Sequence, residues 1–149
     1  MGNIQDTLMR QFQSMDQAYE QYAKANGLNY LSLMVLEELY ELGDGCTQKQ
    51  ISDDIRYPKQ SVNLVIKSFL EAGYVKLQED PENRKNKKIA LTEAGNTFCR
   101  QVICPLLEQE EAVAGAMGVR ESRELERLLE LYGTAYCEKM RELAISRTR

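Results

Sequence analysis

The side chains best suited to chemistry fall between residues 58 and 92, and the chemistry they suit is recognition of a polyanion. Val62, Val65, Ile66, Phe69 and Leu70 recur at i, i+3, i+4, i+7 and i+8, one apolar stripe at helical period. Opposite that stripe stand Gln60, Asn63, Leu64 and Lys67, with Lys59 and Ser61 near the start of the same stretch. Gln and Asn can pair with adenine, Ser with any base, and an aliphatic side chain can meet a thymine methyl. Lys59 and Lys67 suit phosphate. Leu64 reads either as such a methyl contact or as an ordinary exposed leucine. A second cluster follows at residues 80–88, DPENRKNKK, where four of the five residues from Arg84 to Lys88 are basic. Arg84 suits a minor groove, and Lys85 and Lys87 the phosphates beside it. A polar helix face or a lysine-rich loop alone is usually solvated surface. A basic loop directly behind a polar-faced helix is a more specific signal.

The elements that must position these groups are legible around them. Pro58 suits the first helical position, where its missing N–H is not needed, and Gly73 suits the left-handed closure of the helix. Val75 and Leu77 alternate with Lys76 and Gln78, and Ile89 and Leu91 with Lys88 and Ala90. This predicts two strands, each with a buried and a wet face. Thr47 and Gln50 form a capping box ahead of Ile51 and Ile55. A short helix over 47–55, a turn at Arg56 and Tyr57, and the helix from Pro58 make a helix-turn-helix. The first helix of such a pair crosses the DNA backbone with its N-terminus, at Thr47, towards phosphate.

Helix, Gly-Tyr-Val, strand, D-P-x-N-R-K-x-K, strand and L-T-E-A-G, in that order, resemble the winged helix-turn-helix of the multiple antibiotic resistance regulator (MarR) family. The family's wing motif runs Asp-x-x-Asp-Arg-Arg. Asp80 matches its first Asp and Arg84 its minor-groove arginine, while Asn83 and Lys85 replace the second Asp and second Arg. Leu64 stands where the family often has an arginine. The resemblance implies a mainly α fold with a small β-wing, and N- and C-terminal dimerisation helices around the winged helix-turn-helix core. It implies a homodimeric, sequence-specific regulator of transcription on double-stranded DNA, a repressor released from a pseudo-palindromic operator by a small ligand. Small aromatic effectors of the family bind where the dimerisation and DNA-reading parts meet, which points to Tyr22 and Tyr30. Plain core packing is the other reading of those tyrosines.

The organisation expected is a dimerisation helix within 1–27, the winged helix-turn-helix over 28–92, and long dimerisation helices over 93–149. The N-terminal helix, about 3–24, has a seam of Ile4, Leu8, Phe12, Met15, Tyr19 and Tyr22, and a seam wants a partner. Asn29 caps a second, buried helix to Leu42. Thr92 opens a long helix to about Met117, with a bend expected at Pro105. A last helix, about 121–146, carries Leu125, Leu128, Leu129, Tyr132, Tyr136, Met140 and Leu143 on one face. That apolar length exceeds what one small core covers.

Of the 149 residues 43% are hydrophobic, and the net charge is −4. The distribution says more: 2 basic and 7 acidic groups over 1–46, 9 and 6 over 47–92, and 8 and 10 over 93–149. The positive excess sits on the segment expected to meet phosphate, where counterion release supplies affinity. No run reaches the eighteen or so apolar residues of a membrane span, and no signal peptide opens the chain, so a cytoplasmic location is expected. Without histidine and without a nucleophile, phosphate-loop or metal motif, the sequence gives no ground for an enzyme, a metal or a cofactor. Cys46, Cys99, Cys104 and Cys137 read as reduced thiols. Two alternatives stand beside the leading reading: a winged-helix protein-interaction module that has lost DNA binding, and a thiol-based redox-sensing regulator.

Overall fold

The computed structural model describes residues 3–148 and divides into two compact units, one up to Pro105 and one from Leu106. In the first, α1 (Ile4–Ala25) starts at Asn3, whose side chain accepts from the Gln5 N–H. Only Ala23 of α1 is buried, and Ile4, Phe12 and Met15 of its seam are exposed. α2 (Tyr30–Leu42) starts where Asn29 Oδ1 accepts from the Ser32 N–H at 2.8 Å, and ends at Gly43, φ 68°. Its Leu33, Leu36 and Leu39 are fully buried with Ile51, Val62, Ile89, Val102 and Ile103. At about 1.5–3 kcal/mol for each side chain removed from water, this cluster holds the unit together.

α3 (Gln48–Ile55) begins with both arms of the predicted capping box in place. Arg56 follows in the left-handed region, φ 56°, and the chain turns into α4 (Lys59–Glu71). Pro58 occupies the N-cap of α4, one position before the one expected, and gives no side-chain cap. Four of the five residues of the expected stripe are buried, Val62, Val65, Ile66 and Phe69, whereas Leu70 is half-buried. Gly73, φ 76°, closes the helix.

The sheet has three antiparallel strands in the order β1-β3-β2, with β1 Cys46–Thr47, β2 Val75–Glu79 and β3 Lys87–Leu91. β1 was not foreseen. The β2–β3 register sets Val75 against Leu91 and Leu77 against Ile89. The clean alternation expected of both strands holds only in part, since Leu77 is 39% exposed and Ala90 only 3%. β2 is an edge strand that leaves the core after Val75, whereas β3 has a strand on each side, enough to cover a side chain as small as alanine.

α5 (Glu93–Met117) starts at Thr92, whose Oγ1 accepts from the Gly95 N–H at 3.0 Å, and passes through Pro105 as one helix. Thr92 Oγ1 also donates to the Gly73 carbonyl at 2.6 Å, and Tyr74 stacks on Phe98 with ring centroids 4.5 Å apart. Gly95 is needed there because a Cβ would lie 1.8 Å from the Tyr74 carbonyl oxygen. The second unit comprises the remainder of α5 and α6 (Val119–Arg147). No described residue of α6 is buried; Leu125, Leu128, Leu129, Tyr136, Met140 and Leu143 stand exposed along it. Its 29 residues span roughly 43 Å at ~1.5 Å per residue.

Candidate nucleic-acid interface

α3, α4 and the wing enclose a groove of about 320 Å³. It brings together six of the residues singled out in the sequence: Thr47, Lys59, Asn63, Lys67, Lys85 and Lys87. Gln60, Ser61, Leu64 and Arg84 lie outside its lining. Gln60 and Arg84 are exposed, Ser61 and Asn63 half-buried, and Leu64 is 68% exposed. That exposure leaves Leu64 free to meet a base methyl and gives it no part in the core. Thr47 spends its hydroxyl on the cap of α3, accepting from the Gln50 N–H at 3.2 Å. Gln48, Lys49 and Asn86 also line the groove and were not identified from sequence. Lys49 is held by Asp53 one turn on. Lys59, Lys67, Arg84, Lys85 and Lys87 form no ion pair among the described residues.

The wing tip is shaped by short polar bonds. Asp80 Oδ1 accepts from the Glu82 N–H at 3.1 Å, and its carboxylate lies 3.8 Å from Lys88 Nζ across the hairpin. Asn83 Oδ1 accepts from the Lys85 N–H at 3.2 Å, an Asx turn of the kind Asn favours. Asn83 thus orders the tip through its main chain, without a carboxylate to hold Arg84.

The two tyrosines singled out as effector contacts are set apart. Tyr22 OH donates to the Val102 carbonyl at 2.7 Å and joins α1 to α5. Tyr30 OH donates to Asp16 at 2.9 Å, and its ring lies 4.9 Å from that of Tyr19. Burial and then the Asp16 contact push the Tyr30 hydroxyl up to about 12. Tyr30 lines two hollows, about 610 Å³ beside Asp16, Glu20 and Tyr57, and about 370 Å³ beside Tyr19, Glu37, Glu38, Asp54 and Arg56. Tyr22 lines neither. Burial raises the Glu38 carboxyl above its ordinary range, with Asp54 and Glu41 adding to the shift.

Two thiols are unsuited to redox sensing, which needs accessible thiolate. Cys46 and Cys99 are buried; burial pushes both up, Cys99 to about 11. Cys104 is half-buried, 3.8 Å from Tyr40 OH, and Cys137 is exposed. Among the described residues no helix is long and apolar enough to cross a membrane, and no group of acidic or cysteine side chains could hold a metal ion.

Known proteins share this fold. A regulator titled NMB1585, a MarR family regulator from Neisseria meningitidis, superimposes with a TM-score of 0.79 at 24% identity, covering 94% of this chain and 98% of that one. The S. aureus MepR–DNA complex superimposes with a TM-score of 0.74 at 15% identity, covering 91% and 99%. In sequence, the HTH-type transcriptional regulator PrsX of Escherichia coli is 27% identical over 89 residues, 59% of this chain and 54% of PrsX. The chain thus spans about half the length of the curated relatives it matches. Residues 26–85, which include the helix-turn-helix and the wing tip, match the MarR family model. Over that segment the chain is similar to the MarR family, and its winged helix-turn-helix is the fold of the regulators on which it superimposes.

Proposed function

We propose that the protein is a cytoplasmic transcription regulator rather than an enzyme, a homodimer that binds a pseudo-palindromic operator in double-stranded DNA and represses by occupying it. The observation that carries this is the groove between α4 and the wing, with five cationic side chains in or beside it that form no ion pair among the described residues: Lys59, Lys67, Arg84, Lys85 and Lys87. Gln60, Ser61, Asn63 and Leu64 read bases in the major groove. Lys59, Lys67, Lys85, Lys87 and the α3 N-terminus at Thr47 hold phosphate, and Arg84 enters the minor groove, favoured where that groove is narrow. Dimerisation through 1–27 and 93–149 sets the two copies of α4 about 34 Å apart, one turn of DNA. The exposed apolar residues of α1 and α6 support that pairing. A small aromatic ligand releases the operator from the side of Tyr30. The carboxylates around Tyr30 favour a neutral or cationic aromatic over an aromatic acid.

The test is titration against duplexes selected from the source genome, at two salt concentrations. Arg84→Ala weakens operator binding by about 1–3 kcal/mol at fixed salt; an unchanged affinity would remove Arg84 from the interface. Lys67→Ala lowers affinity on every sequence alike and reduces the salt slope by about 1. A loss confined to particular bases would contradict its phosphate role.

A further inference from the structure

Gln48 opens α3 directly after the Thr47 cap, and its side-chain Nε2 donates to the main-chain carbonyl of Lys59 across 2.9 Å. Lys59 is the first residue of α4. The bond therefore runs between the first turns of the two helices of the pair. At the other end of α3 the connection is already fixed. Ser52 Oγ donates to the Tyr57 carbonyl at 2.6 Å, and the Tyr57 N–H donates to the Ser52 carbonyl at 3.2 Å. Those fastenings hold the turn and the buried stripe holds the body of α4, but Pro58 provides no side-chain cap at its start. Gln48 supplies the missing third point.

We infer that Gln48 is a positioning residue for base recognition: its amide, through the Lys59 carbonyl, sets the angle at which α4 meets the duplex. The inference rests on the DNA-binding reading above. Base-edge hydrogen bonds tolerate only a few tenths of an ångström about their optimum, whereas long lysine side chains follow a phosphate through larger shifts. A small pivot of α4 therefore spoils sequence discrimination before it spoils general affinity. The Gln48 bond is solvent-exposed, so the fold does not depend on it.

The test compares wild type, Gln48→Met (similar length, no donor) and Gln48→Lys (donor restored). Each is titrated with a duplex selected by the wild type from a randomised pool and with a scrambled duplex of the same composition. For Gln48→Met the selected-to-scrambled affinity ratio falls about tenfold, the worth of one well-placed base contact. The scrambled duplex loses much less affinity than the selected one, the melting temperature stays at the wild-type value, and Gln48→Lys restores the ratio. A Gln48→Met protein that keeps the wild-type ratio, or that loses both affinities equally, overturns the positioning role while leaving DNA binding intact. A wild-type protein that binds no duplex overturns the DNA-binding reading and this inference together.

Discussion

Gly95→Ala destabilises the protein by about 3 kcal/mol, roughly 10 °C in melting temperature, the upper range for overpacking a filled site. Alanine is ordinarily the better helix former, and at an open helical position the exchange would stabilise by about 0.5–1 kcal/mol. Here the sign reverses. The added methyl would sit 1.8 Å from the Tyr74 carbonyl oxygen and 2.7 Å from its carbon, and both belong to backbone that cannot swing aside. That carbonyl also accepts from the Thr92 N–H at 2.9 Å, so retreat would break a bond at the start of α5. Urea or thermal unfolding followed by circular dichroism reads the effect. A melting temperature at or above wild type would show that the helix start stands further from the strand.

Leu125→Asp combined with Leu129→Asp is expected to convert the proposed homodimer to a monomer in sedimentation and to lower affinity for the proposed operator by at least about 100-fold, the usual worth of bivalent attachment. Both leucines are exposed in the single chain, so α6 itself stays helical by circular dichroism. In a paired helix face each loses the ~1.5–3 kcal/mol of leucine burial, and each carboxylate must also be desolvated. A doubly substituted protein that still sediments as a dimer would place the interface elsewhere. One that is monomeric yet binds the operator undiminished would contradict two-site recognition.

Much of this was legible because local signals agreed with the fold. Asn29, Thr47 and Gly73 each end or begin a helix where the sequence says they should, since caps and left-handed closures are settled within a few residues. β1 was not legible. Two residues cannot display alternation, and Cys46 and Thr47 are strand only because Ile89 and Lys88 lie alongside. The exposure of Leu77 likewise depends on how far β2 outruns its support. The separation of Tyr22 from Tyr30 was hidden for another reason. Tyr19 and Tyr22 share a seam three residues apart, and sequence does not say which of them faces α2 and which α5. Tyr19 lies against Tyr30, whereas Tyr22 reaches Val102. Of the candidate interface, charges and polar face were readable, but Gln48 was hidden inside a capping box. Its partner is a main-chain carbonyl eleven residues away, and carbonyls leave no mark in a sequence.

Gly73 and Tyr74 are gripped from two sides, by the last turn of α4, where the Tyr74 N–H donates to the Phe69 carbonyl, and by Thr92, Gly95 and Phe98 at the head of α5. The two helices consequently share one knuckle, and a tilt of the first turns of α5 bears directly on the end of α4. α4 is 13 residues long, roughly 20 Å, so a tilt of about 10° at the knuckle sweeps its far tip through an arc of roughly 3 Å. A shift of that size at the start of α4 would strain the Gln48–Lys59 bond together with the base contacts proposed for that helix.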